Sequence, residues 1–236
     1  MSRVVTEDFA ELSNFFAKYS IAANLGNSEF IKFLSIYHKK YLAYLTYIAE
    51  ISTYKTKKTL SGMLENQFDF FSESCSDCGL ALFDSVNGNY KAAKLLLRSS
   101  IENFMKAIAL EEDNSIDQES SVFKLFERVK AIAFFSKAET KSLFNEIHQE
   151  YKELCKDVHT ATTANMIKLS ALKTFPSFDQ NQADRLLKIV IVLITSYITL
   201  LALKYNKHYH SIGFLNKEVI ENGVRLEYAD AINNKK

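Results

Sequence analysis

The chain has 236 residues with a formal net charge of +1, one proline, six glycines and three cysteines. That length can bury one good core, or a main domain with an appendage, and the scarcity of Pro and Gly predicts an all-α fold. The balanced charge excludes a global field for nucleic acid, so any basic site must be local.

The opening segment MSRVVTEDFAELS has no apolar signal core, and an odd number of cysteines suits a reducing compartment. A cytoplasmic location is therefore expected. The first predicted element is a short amphipathic helix capped by Thr6, with Phe9, Leu12, Phe16 and Tyr19 as its stripe. Gly26-Asn27-Ser28 breaks it and starts a longer helix. There Phe30, Leu34, Tyr37, Tyr41, Tyr44, Ile48 and Ile51 fall at heptad spacing. So aromatic a seam predicts an antiparallel hairpin partner rather than a two-stranded zipper. After Lys55–Lys58 and Ser61-Gly62, a third helix repeats the pattern with Leu64, Phe68, Phe71, Cys75, Cys78, Leu82 and Ser85. The Cys75-x-x-Cys78 spacing invites a zinc or redox reading. Both sulfurs occupy seam positions and no second such pair exists, so they are read as buried, reduced packing residues.

Asn87-Gly88-Asn89 punctuates the chain before Asn89–Leu110, a helix around which the rest is organised. Ala93, Leu97, Ile101, Phe104 and Ile108 form its core face. Arg98 and Glu102 lie one turn apart on the other side, flanked by Leu95, Met105 and Ala109. This pattern predicts a central helix with an enclosed ion pair, against the plainer reading of a surface i,i+4 pair. The polar stretch Glu111–Ser121 has no periodicity and is predicted to be a mobile loop. A helix over about Val122–Phe135 follows, with Val122, Phe123, Phe126, Val129 and Ala133 inward. Ser136 and Glu139 then make a capping box for the next one.

In that helix Leu143, Ile147, Tyr151, Leu154 and Val158 form the core stripe, and His148, Lys152, Cys155 and His159 run beside it. The two histidines are about 16 Å apart along the axis, and Cys155 with His159 supplies only two ligands. No metal and no cofactor are expected. The last long helix, Asp184–Tyr205, contains fifteen uncharged residues, Ile189–Leu203, interrupted by Thr195, Ser196 and Thr199. They span about 22 Å, short of the roughly 30 Å hydrocarbon core, so a buried core helix is preferred to a membrane span. Asn222-Gly223 between apolar residues predicts a small C-terminal β-hairpin.

The segment GNYKAAKLLLRSSIENFMKAIAL, followed some forty residues later by YKELCKDVHT, resembles the signature helices of HEPN-like bacterial proteins. The residues carrying the likeness are Arg98, Ser99, Glu102, Tyr151, Leu154, Val158 and His159. It spans roughly residues 64–205. Unbroken helical periodicity with one proline and six glycines predicts an up-and-down bundle of six to seven helices. The aromatic faces Phe30–Ile51 and Leu64–Ser85, with more apolar surface than one small bundle covers, predict a soluble homodimer. The resemblance agrees, since its members are helical bundles and often dimeric. It also implies a place in abortive-infection or toxin–antitoxin defence, with an antitoxin or other defence protein as partner. Many such proteins are metal-independent endoribonucleases, which would make Arg98, Glu102 and His159 catalytic and Lys152, Lys156 and Tyr151 contacts to an RNA substrate. One departure is plain: no Arg precedes His159 in its own helix, where Lys152 and Lys156 are the nearest cations. Lys lacks the two-pronged grip of Arg on phosphate. The alternatives are a catalytically silent bundle that binds a partner or ligand, and a membrane-acting effector using Ile189–Leu203. The expected division is an N-terminal helical extension (1–60), the HEPN-like bundle (61–208) and a tail or hairpin (209–236).

Overall fold

A computed structural model describes residues 3–56, 63–158 and 172–233. Among these residues there are ten α-helices and no strand. They are α1 (Arg3–Ala17), α2 (Ser28–Thr56), α3 (Glu65–Val86), α4 (Tyr90–Ala109), α5 (Val122–Ala131), α6 (Ala138–Val158), α7 (Gln180–Lys204), α8 (Asn206–Ser211), α9 (Phe214–Glu221) and α10 (Ala229–Asn233). The protein is all-α.

Helix α2 begins where the Asn27 side chain accepts the backbone N–H groups of Glu29 (2.9 Å) and Phe30 (3.3 Å). Its aromatic seam faces the interior, with Phe30, Tyr37, Tyr44 and Ile51 fully buried. The tyrosines also reach across to α3: Tyr37 donates to the Cys78 carbonyl (3.0 Å) and Tyr44 to Ser74 Oγ (3.1 Å). Residues 28–56, expected within an N-terminal extension, thus share one core with α3, α4 and α7. Their seam is covered within the single chain.

Cys75 and Cys78 are buried on α3 as the heptad pattern requires. Small groups let α3 and α4 approach closely, Ser100 Oγ meeting Ser74 Oγ at 3.0 Å and Cys78 Sγ at 3.2 Å. The turn between the two helices depends on Gly88 at φ +83°, and a Cβ there would also strike Ser177. Helix α4 is central, packing on α3, α5, α6 and α7. Leu97, Ile101, Phe104, Met105, Ile108 and Ala109 are all fully buried. Phe104 stacks on Tyr197 of α7 with centroids 4.0 Å apart.

The apolar run of α7 lies inside the bundle, and the most apolar window of that helix is 72% buried. The hydroxyls that interrupt the run have an intramolecular use. Thr195 and Ser196 accept from the Arg225 guanidinium (3.0 and 2.8 Å), and Thr199 accepts its backbone N–H (3.2 Å). Arg225 also holds Glu146 of α6 at 2.6 Å, so one partly buried arginine fastens the C-terminal segment to α6 and α7.

Three expectations are corrected. The C-terminal hairpin does not form: Asn222 ends α9 in a right-handed helical conformation (φ −62°), with its amide donating back to the Glu218 carbonyl. A type I′ turn needs positive φ at both central residues, and Gly88 alone among the described glycines has one. Gly223 instead permits close approach, since a Cβ there would run into Ile198 of α7. Residues 111–121 are tied down rather than loose. Arg128 grips Asp113 through two bonds of 2.8 and 2.6 Å, Ile116 is fully buried, and Glu112 accepts the N–H groups of Ala133 and Phe134. Finally, α5 stops at Ala131 and turns Leu125, Phe126 and Val129 inward, leaving Phe123 77% exposed.

Candidate functional site

Helix α4 presents two faces because its apolar and polar residues each recur at helical spacing. Its apolar face fills the core. The stripe Lys94, Arg98, Glu102, at successive i,i+4 steps, turns towards α6 instead.

At the middle of this stripe three side chains meet. Arg98 Nε donates to the Tyr151 hydroxyl at 2.9 Å and lies 3.2 Å from Glu102 Oε1. The Tyr151 hydroxyl donates in turn to Glu102 Oε1 at 2.9 Å. The guanidinium carbon sits 5.4 Å from the Tyr151 ring centroid. The pair is half-buried, at 24% and 29% exposure, so neither the fully enclosed nor the washed reading describes it. Burial works against the Arg98 charge, but the Tyr151 hydroxyl and the Glu102 carboxylate outweigh it and hold the guanidinium above its usual range. Burial first, and then the Glu102 carboxylate, push the Tyr151 phenol well up, so it stays protonated and keeps donating. Among the described residues Arg98 uses Nε alone, which leaves both terminal nitrogens of its fork unengaged.

Helices α4 and α6 run antiparallel, since stepping back from Arg98 to Lys94 matches stepping forward from Tyr151 to Lys156. Beyond the triad they part around a cleft of about 400 Å³ that α7 closes on the third side. Lys94, Glu150, Glu153, Lys156, Arg185, Lys188 and Ile189 line it. Four cations face two carboxylates. Lys94 is only 4% exposed, with its ammonium 3.4 Å from Gln182 Oε1, while Arg185 and Lys188 are exposed on the second and third turns of α7. Lys156 is paired with Glu153 at 2.7 Å. Burial first, then the Glu153 and Glu146 charges, raise the Glu150 carboxyl.

Arg98, Glu102 and Tyr151 are thus brought together, and Lys156 stands on the neighbouring cleft wall. Lys152 is exposed and lies outside the cleft lining, where its charge acts on His148. His148 stacks on Phe126 (4.3 Å), and burial, then Lys152, lower its proton affinity. His159 lies outside the described residues, immediately after the end of α6 at Val158. No group of three or more His, Cys, Asp or Glu side chains suited to a metal occurs among the described residues. The charged cleft residues missed from sequence are Lys94, Glu150, Glu153, Arg185 and Lys188. Lys94 had a readable signal, because it extends the Arg98–Glu102 stripe by one more i,i+4 step. No family model, curated protein or solved structure matches this chain.

Proposed function

We propose that the chain is a HEPN-like protein of a bacterial defence system of the abortive-infection or toxin–antitoxin type, and that it cleaves RNA without a metal. One observation carries the reading: Glu102 and Tyr151 hold Arg98 by one edge, leaving its two-pronged end unengaged among the described residues beside a cleft with surplus cations. That is the arrangement needed to stabilise charge on a transferring phosphate. His159 would take the proton from a ribose 2′-OH, or give one to the departing 5′-oxygen, as the new P–O bond forms and the old one breaks. Lys94 and Lys156, on the α4 and α6 walls near the end of α6, would hold the phosphate oxygens, and Lys152 would extend the contact along the strand. The reading includes an up-and-down bundle, a homodimer, a cytoplasmic location and a partner protein that restrains the activity.

The test is RNA cleavage by the purified chain with and without EDTA. The expected result is chelator-insensitive cleavage that His159→Ala and Arg98→Ala abolish while far-UV circular dichroism is retained. Metal-dependent cleavage, or full activity in His159→Ala, sinks the proposal. A second reading, a silent bundle that binds a partner or ligand, is favoured by the engagement of Arg98 Nε with Tyr151 and Glu102, which also suits a purely structural tie.

A further inference from the structure

We propose that α1 is an exchange arm, whose aromatic stripe docks on the outer face of α2 in a second copy of this chain. Helix α1 packs extensively on no other described helix, and Phe9 and Phe16 are 63% and 60% exposed. The inner seam of α2 is covered within the chain, but its outer side carries a second stripe. Ile31, Ser35, His38, Leu42, Leu45 and Ala49 all lie exposed there. The two stripes match in period. Phe9, Leu12, Phe16 and Tyr19 alternate three- and four-residue steps, and the α2 stripe does the same, which is the spacing of helices that interlock knobs into holes. The bulky rings lie on α1 and the hollow on α2, where Ile31, Leu34, Ser35 and His38 frame a depression of about 330 Å³.

Charge sets the direction. Asp8 precedes Phe9 at the edge of one stripe and Lys39 follows His38 at the edge of the other, flanks that meet when the two helices run parallel. Parallel pairing then sets Phe9 against the small Ser35 and Tyr19 level with Leu45. The arm cannot serve its own α2 in this way. Tyr37 meets Cys78 and Tyr44 meets Ser74, so α2 and α3 run antiparallel, and Asn87, just past the end of α3, stands level with the first turn of α2. The Tyr19 hydroxyl is fastened there, on Asn87 Oδ1 at 2.6 Å, about 25 Å short of Leu45 along the axis. A second copy supplies the partner, and exchange in both directions closes the pair about a twofold axis. The exposed parts of the stripe side chains amount to roughly 700 Å² per copy, close to the ~800 Å² per partner of a stable interface. Both helices lie outside residues 64–205, which carry the HEPN likeness, so the inference stands whether or not the chain cleaves RNA.

The experiment is sedimentation equilibrium of the full chain at micromolar concentration, in parallel with the double variants Phe9→Ser/Phe16→Ser and Leu42→Gln/Leu45→Gln. All four substituted side chains are exposed, so both variants are expected to fold, which circular dichroism checks. The expected result is a dimeric parent whose dissociation constant rises at least about tenfold in either double variant. In an equimolar mixture, a Leu12→Cys chain and a His38→Cys chain are expected to be joined to each other by a short bifunctional thiol reagent. A monomeric parent overturns the proposal. So does a dimer that either double variant leaves intact, or failure of the unlike chains to cross-link. A dimer held by another face thus refutes the arm without bearing on RNA cleavage, which the His159→Ala and Arg98→Ala assays judge separately.

Discussion

Replacing Tyr151 with Phe deletes one oxygen at the junction of α4 and α6 and leaves the rest of the ring in place. The packing of that ring on Phe126 (4.9 Å) and its contact with the Arg98 guanidinium persist. What disappears is a hydroxyl that accepts from Arg98 Nε and donates to Glu102, both at 2.9 Å. A hydrogen bond to a charged group contributes about 1.5–3 kcal/mol when well buried. Here the partners are 24% and 29% exposed and keep their direct 3.2 Å contact, so water and the surviving ion pair recover part of the loss. The net cost expected is about 1.5 kcal/mol, or a fall in Tm of roughly 3–6 °C for a chain of this size. Differential scanning calorimetry at neutral pH measures it. A double-mutant cycle with Glu102→Gln should return a coupling of about 1 kcal/mol. If Tyr151→Phe melts with the parent protein and the cycle shows no coupling, the hydroxyl does not bridge the pair, and the account of how Arg98 is held fails.

Other consequences are equally open to measurement. Burial raises the thiol of Cys75 far above its ordinary value and pushes Cys78 up to about 12, so a thiol reagent at mildly alkaline pH should modify both only on unfolding, with Cys155 reacting first; rapid native-state labelling of all three would contradict this. Burial opposes the Glu111 charge, but Lys204 at 2.9 Å and the Tyr205 and Gln67 hydrogen bonds prevail and hold its carboxyl below the usual range. A folded pKa below the unfolded one of about 4.3 means the stabilisation is present above that pH and is lost as pH falls through the folded value. Glu111→Gln should therefore flatten the acid side of the stability profile measured by urea unfolding, and an unchanged acid limb would count against the network. Gly223→Val should cost about 2 kcal/mol by driving a side chain into Ile198 and Ala43, while Gly213→Ala, with open space around it, should be close to neutral in the same denaturation assay.

Much of the fold was legible because one-dimensional period maps directly onto burial. Phe30, Tyr37, Tyr44 and Ile51 at heptad spacing, Cys75 and Cys78 in the next seam, and Leu97, Ile101 and Phe104 on α4 all point inward as their spacing requires. Where the reading failed, a long-range partner overrode a local preference. Asn222-Gly223 carries a strong local signal for a turn with positive φ, yet Gly223 is needed against Ile198 and the chain stays helical up to it. Residues 111–121 lack periodicity, yet Arg128, nine and fifteen residues beyond Glu119 and Asp113, holds both in place. Polarity without period marked an irregular segment correctly but carried no information about its tethering.

The candidate site follows the same logic one level up. Arg98 and Glu102 were visible as a pair because both lie on one helix at fixed spacing. Their union with Tyr151 depends on the register of α4 against α6, which no residue spacing within either helix encodes. That register has a chemical consequence. The helices are antiparallel, and Arg98 is level with Tyr151, so the turn of α4 nearest the end of α6 carries Lys94. Helix α6 has lysines at 152 and 156 but no arginine, and Lys94 on the facing helix adds a further cation to the cleft. Lys94 is held at 4% exposure by the packing of α4, α6 and α7, and its four-carbon stem needs no fork to present one charge at close range. The helix that centres the core thus also supplies the cation level with the end of α6, so the cleft follows from the packing rather than from a separate loop.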